Sequence, residues 1–230
     1  MSKLAIITRA DEHVKEYTDI TIPVMRSYAE KCNAEFIILA GKAPFLTSDN
    51  KPHYRILKIY ELLETYDRIL HLDADMIINK DCPNLFNLVP ADSIGSVYED
   101  VGTRMSDRRA KIQNIQNYWG DVGWHAGYTN AGTFLLSKEH KNIFLPHKKK
   151  FWLEWGSADL HMSYNIHKYN YKVQELDYRW NHMTMFSEPW NNKADRFKSH
   201  IIHYGGRGIF DSHVDTRNNQ IKADYEEIYG

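Results

Sequence analysis

Residues 68–78, RILHLDADMII, constrain this chain more than any other stretch. An apolar run of strand length delivers two carboxylates, Asp73 and Asp75, and then turns apolar again. In an extended chain, residues two apart point to the same side. Two carboxylates converging at the end of a strand make a hard-oxygen site for Mg2+ or Mn2+, with room for substrate phosphates to complete the shell. The C-terminal end of a strand is also where open α/β sheets place their ligands. A bare Asp-x-Asp is common by chance, and a solvated pair of turn aspartates is the competing reading.

The rest of the chain supplies a matching frame. Short apolar runs at Leu4–Thr8, Glu35–Leu39, Arg68–Leu72, Ile94–Val97, Thr133–Ser137 and Lys172–Glu175 read as strands alternating with helical patterns, which predicts an α/β fold. Ile56, Ile59, Tyr60 and Leu63 recur at helical spacing. A weaker helix is expected over Ile20–Lys31, where Pro23 suits only a first turn. Another is expected over Asp159–Tyr169, and the basic run His147–Lys150 reads as the end of a helix. Residues 99–130 and 177–215 mix charges, glycines and aromatics, and read as long functional loops.

At 230 residues the chain is expected to form one domain over residues 1–230. The formal net charge of −1 offers no bulk attraction to nucleic acid or to an anionic membrane. No apolar run reaches the length of a membrane span or a signal-peptide core, so a cytoplasmic location is expected. Cys32 and Cys82 lack metal-site spacing, and two buried free thiols are the default. The chain is rich in rings, with Tyr 15, Phe 9 and Trp 6. These suit sugars and bases as well as ordinary cores. Trp119, Trp124, Trp180 and Trp190 are the candidates among them for ligand stacking.

YRILKIYELLETYDRILHLDADMIINKD resembles the corresponding stretch of glycosyltransferase family 8, the family of the glycogenins and bacterial galactosyltransferases. Four further segments resemble that family in the same order. They are the opening strand with Thr8 and Arg9, YTNAGTFLLS at 128–137, ADLHMSYNIHKY at 158–169, and HIIHYGG at 200–206. Together they cover residues 3–208 and leave 210–230 as a C-terminal tail. The resemblance implies a GT-A fold, a single Rossmann-like nucleotide-diphosphosugar transferase domain around a central mixed sheet.

It also implies roles. Asp73, Asp75 and His203 match the residues that hold a divalent cation, usually Mn2+, against the sugar-nucleotide diphosphate. Such a cation offsets the charge of a departing diphosphate without proton transfer. Thr8, Arg9, Arg55, Ala74, Asn130, Ala131, Gly206 and Arg207 fall at donor-binding positions. Asp159, Asn130 and Arg55 are the candidates closest to the chemistry. Two departures stand out: Leu160 occupies a position where the family commonly has Gln, and Ile209 one where it often has Lys. Arg207 is the obvious cationic substitute for the latter.

The expected activity is metal-dependent transfer of a hexose from a nucleotide-diphosphate sugar, with UDP as the implied carrier, to an acceptor hydroxyl on a carbohydrate or glycan, with retention of configuration. The sequence is also compatible with a homo-oligomer. Two other readings compete with it. Leu160 favours a sugar-nucleotide-binding module with impaired chemistry. An Asp-x-Asp phosphatase of the haloacid-dehalogenase type would place its nucleophile near the N-terminus, whereas Asp73 lies a third of the way along.

Overall fold

Apolar alternation along the first and third strands dictates a sheet covered on both sides. In the computed structural model, which describes residues 2–41, 52–184, 194–205 and 216–230, β1 (Leu4–Arg9) sends Ile6 to one core and Ala5 and Ile7 to the other. β3 (Arg68–Leu72) is buried throughout and divides in the same way, Leu70 and Leu72 against Ile69. With β2 (Glu35–Leu39), these strands form a parallel unit in the order β2-β1-β3. β6 (Thr129–Ser137) pairs antiparallel to β3, followed by β5 (Ser93–Tyr98) and β7 (Lys172–Glu175). The result is a mixed six-stranded sheet, and all six expected strands are present.

Helix α1 (Lys15–Lys31) covers one face with Val24, Met25, Tyr28 and Ala29. It begins five residues before the expected start, so Pro23 sits in its interior and not in its first turn. Pro23 is on the exposed side, so the carbonyl its ring leaves unbonded can be met by water. The opposite face is covered by the short helix α2 (Ile59–Leu62), by the 3-10 segment Pro52–Lys58 before it, and by α4 (Ser157–Lys168). The apolar face expected at 56–63 is therefore real, with Ile56, Ile59 and Leu63 fully buried, although its first residues, through Lys58, are wound as 3-10 helix.

Three expectations give way. The 99–130 stretch contains α3 (Met105–Trp119), whose buried stripe is only Arg108, Ile112, Ile115 and Gln116. That stripe is too narrow and polar to stand out as a hydrophobic repeat. The run His147–Lys150 is a tight turn and not a helix end. Lys148 and Lys149 both have positive φ, 46° and 67°, and His147 and Lys150 exchange backbone hydrogen bonds. The 177–215 stretch supplies strands to a second sheet, in the order β4 (Met76–Ile78), β9 (Ile201–His203), β8 (His182–Met183). The last helix, α5 (Arg217–Tyr229), packs Ile221 against Ile77, Ile202 and Tyr204 of that sheet. Cys32 and Cys82 are free and buried, as expected. Among the described residues, no helix is long and apolar enough to cross a membrane.

Candidate active site

The segment Asp73-Ala74-Asp75 is where the chain leaves one sheet and enters the other. It is a bend, not the continued strand expected from alternation, so the two carboxylates converge because the backbone turns. Ladders on either side hold the bend. Asp73 N donates to Gly132 O at 2.9 Å, extending the β3–β6 pairing by one step, and Tyr204 N donates to Asp75 O at 2.9 Å, extending β4–β9. Between them, Thr21 Oγ1 on α1 donates to Ala74 O at 2.6 Å.

These registers explain which side chains meet. Met76 lies opposite His203, which brings the imidazole beside Asp75. His203 Nε2 is 3.4 Å from Asp75 Oδ1 and 3.7 Å from Asp73 Oδ2. One ligand atom from each of Asp73, Asp75 and His203 falls within 4.8 Å of the others. The parallel pairing of β1 with β3 carries Arg9 to the level of Asp73, and the two form an ion pair. Arg217 Nη1, from α5, reaches Asp75 Oδ2 at 3.1 Å. Gly132 is sterically required here: a Cβ would meet Asn130 Oδ1 at 2.7 Å and His203 Cε1 at 2.8 Å.

A buried relay orients the imidazole. Glu99, at the end of β5, accepts from Asn130 Nδ2; Asn130 Oδ1 accepts from Asn181 Nδ2 at 2.7 Å; Asn181 Oδ1 accepts from His203 Nδ1 at 2.7 Å. With a carboxylate at one end, each amide can point only one way, so Nδ1 carries the proton and Nε2 faces the carboxylates. Glu99 is itself held by Arg108 Nε at 2.5 Å and Arg104 Nη2 at 3.2 Å.

Charge follows position. Burial alone would raise Asp73, but Arg9 beside it, with His71 and His203, holds its carboxyl well below the usual range. Burial opposes the charged form of His203, yet its hydrogen bond to Asp75 and the charges of Asp75, Asp73 and Glu99 raise it. His71 is pushed down to about 4, by burial first and then by Arg9. Asp159 goes the other way. Burial, with the negative charges of Glu99 and Asp73, pushes it up to about 7. It sits in the first turn of α4 and accepts from Ala131 N at 3.2 Å.

These residues line a cavity of about 830 Å3. Arg9, Arg55, Ala74, Asn130, Ala131 and Asp159 are on its walls together with the Asp73–Asp75–His203 cluster, and Arg55 is held by Asp11 at 2.7 Å. Thr8 is fully buried and does not line the cavity. Gly206, Arg207, Ile209 and Trp190 lie outside the described residues. Of the rings expected to face an acceptor, Trp124 and Trp180 are core residues. Trp119 stacks on His147 among other aromatics. The exposed ring on the cavity wall is Trp155, 53% exposed, with Arg108 and Lys111 against it at 4.5 and 5.2 Å.

Glu99, Asn181, Arg217 and Trp155 escaped the sequence reading. Only Glu99 left a signal, a carboxylate ending an apolar strand with arginines at Arg104 and Arg108, one helical turn apart.

Comparison with solved structures gives the same architecture. The chain superposes on a glycosyltransferase involved in glycosylating the major capsid of the virus PBCV-1, with a TM-score of 0.61, 14% identity, and 96% of this chain and 99% of that one covered. It also superposes on the galactosyltransferase LgtC in complex with donor and acceptor sugar analogs, with a TM-score of 0.59, 14% identity, and 98% and 96% covered. The bifunctional glycosyltransferase WbbM superposes with a TM-score of 0.65 and 13% identity, covering 99% of this chain and 50% of that one. No curated protein sequence matches the chain significantly. The fold is that of the GT-A glycosyltransferases. The profile of "Glycosyl transferase family 8" matches residues 11–208, most of the chain, and the protein therefore belongs to glycosyltransferase family 8.

Proposed function

We propose that this chain, as a single domain, transfers a hexose from a nucleotide-diphosphate sugar, UDP being the carrier its family resemblance implies, to an acceptor hydroxyl with retention of configuration. One observation carries the reading: a carboxylate–carboxylate–imidazole cluster lies in a large cavity whose walls also bring Arg9, Arg55, Asn130 and Asp159 together. The donor set of two carboxylates and one oriented imidazole fits Mn2+ better than Ca2+, and the relay through Asn181 leaves Nε2 turned toward the carboxylates. Asp73, Asp75 and His203 would hold the ion, which when bound supplies charge neutralisation to a departing diphosphate.

The other steps belong to the side chains. Arg9 and Arg55 line the donor side and supply fork-shaped donors suited to phosphate oxygens. Asp159 presents its carboxyl to sugar hydroxyls, while Asn130, whose amide is engaged by Glu99, Asn181 and Gly132, fixes the β6 backbone on the cavity wall. Retention needs either a carboxylate nucleophile or attack from the face of the leaving phosphate. Asp159 at about 7 spends much of its time protonated near neutral pH, which weakens it as a nucleophile, and the same-face route is the better supported. Trp155 offers an exposed ring at the cavity for an acceptor pyranose.

A binding module without turnover is the second reading. It is favoured by Leu160, which is fully buried with Trp124, Tyr128 and Tyr164 and presents no polar group to the cavity. Incubation with UDP-, GDP- and CMP-sugars plus Mn2+, with assay of released nucleotide, separates the two. Release of UDP on adding saccharide acceptors is expected. Nucleotide binding with no release for any acceptor establishes the module, and phosphate release from simple phosphomonoesters overturns both.

A further inference from the structure

The two aspartates of the metal cluster are each matched by a guanidinium, and the two arginines differ in origin. Arg9 comes from β1 of the central sheet, and its Nη1 also donates to His53 O at 2.8 Å; like Arg217 it lies outside the segment that the family profile matches. Arg217 is the first residue of α5, outside the segment 11–208 that the family profile matches. The first turn of a helix is the wrong end for a cation, since the dipole there is already positive. The helix does not need it either. α5 is docked by buried Asp224, which takes Arg196 Nε at 2.7 Å, Arg196 Nη2 at 2.9 Å and Tyr204 Oη at 2.7 Å, and by Ile221 in the core. Arg217 instead extends into the cavity and stops on Asp75.

Formal charge says what such a residue is for. The two guanidiniums balance the two carboxylates. A divalent cation held by the same carboxylates would leave the site with two positive charges in excess, and the diphosphate bridge of a nucleotide sugar carries two negative ones. We infer that Arg217 is a donor-binding residue contributed by the C-terminal helix: it holds Asp75 until a cation arrives and then pairs with the diphosphate. The assignment rests on the proposed transferase reading. It also gives the chain a phosphate-binding cation in place of the lysine absent at Ile209. Because Arg217 competes with the cation for Asp75 but attracts the diphosphate, it couples the two binding events.

The test is calorimetric titration of the full chain and of Arg217→Ala and Arg217→Lys with Mn2+ alone, then with UDP and with inorganic pyrophosphate in saturating Mn2+. Arg217→Ala is expected to weaken UDP and pyrophosphate alike by roughly 10- to 100-fold, the scale of a lost charge-assisted hydrogen bond. Mn2+ alone should bind at least as tightly as before, because a competing cation is gone. Arg217→Lys keeps the charge without the fork and should recover most of the UDP affinity. UDP affinity within two-fold of wild type in Arg217→Ala overturns the assignment. So does an equal loss of Mn2+ and UDP affinity, which would mark Arg217 as a structural support of the metal cluster. If the unaltered protein binds neither UDP nor pyrophosphate in Mn2+, the transferase reading itself fails.

Discussion

Carboxylates on the wall of one cavity are held in opposite ways. At the bend between β3 and β4, Asp73 and Asp75 each meet a guanidinium and share an imidazole, and Asp73 stays ionised far below its ordinary range. At the start of α4, Asp159 meets a backbone amide and feels the negative charges of Glu99 and Asp73, so its carboxyl rises to about 7. Asp73 keeps its charge. Asp159 is near the point of losing its charge, and its carboxyl can both accept and donate a hydrogen bond. The difference comes from the neighbours alone, since the side chains are chemically identical.

The largest break in this contrast is Asp75→Ala. It removes one carboxylate of the cluster and the anchor of Arg217, and Mn2+-dependent donor turnover should fall by on the order of 10³-fold. Circular dichroism should show the domain still folded, since Asp75 contributes its backbone carbonyl and not its side chain to the β4–β9 ladder. Full activity in this variant would remove the metal assignment.

Asp159→Asn sharpens the other side of the contrast. The folded protein holds the Asp159 proton more tightly than the unfolded chain, whose carboxyl titrates near 3.8. Stability from this group is therefore complete below pH 3.8 and lost as the pH rises through about 7. The amide variant escapes that loss while its Oδ1 can still accept from Ala131 N. Its Tm should exceed wild type by several degrees at pH 8 and by little at pH 4, given ~2–4 °C per kcal/mol for a chain of this size. Turnover should fall about 10-fold or more. A constant Tm difference across that range would show that burial does not perturb Asp159.

Trp155→Ala is the smallest of these perturbations. Loss of an exposed stacking ring should raise the acceptor KM by about 5- to 10-fold and leave the donor KM unchanged. A change in donor KM instead would place the ring on the wrong side of the reaction.

Legibility followed the same division. The apolar runs of β1, β3 and β6 advertise themselves because burial on both faces leaves little room for polar residues. The Asp73–Asp75 pair was visible for the same reason, since polar groups directly against such runs are costly unless they have a task, whereas His203 was picked out only by the family resemblance. α3 was not visible. It earns its place through Arg108 on Glu99 and Gln116 on the backbone at Trp124, contacts that look like surface polarity in one dimension. The tryptophans misled because their exposure depends on what folds over them. Trp124 is sealed by Tyr128 and His167, whereas Trp155 sits at the cavity with cations beside it.

By itself the sequence determined the strand set and the α/β class, which are written in local patterns of apolar and polar residues. Its resemblance to a known family pointed to the family and to the three candidate metal ligands. Tertiary structure decided the rest. It placed a second sheet beside the first, so that registers from β6 and β9 clamp one bend. It brought Arg217 across more than a hundred residues of chain to Asp75, and set two aspartates of one cavity on opposite sides of their ordinary titration range. Electrostatic environment is a sum over neighbours in space, and no local pattern encodes it.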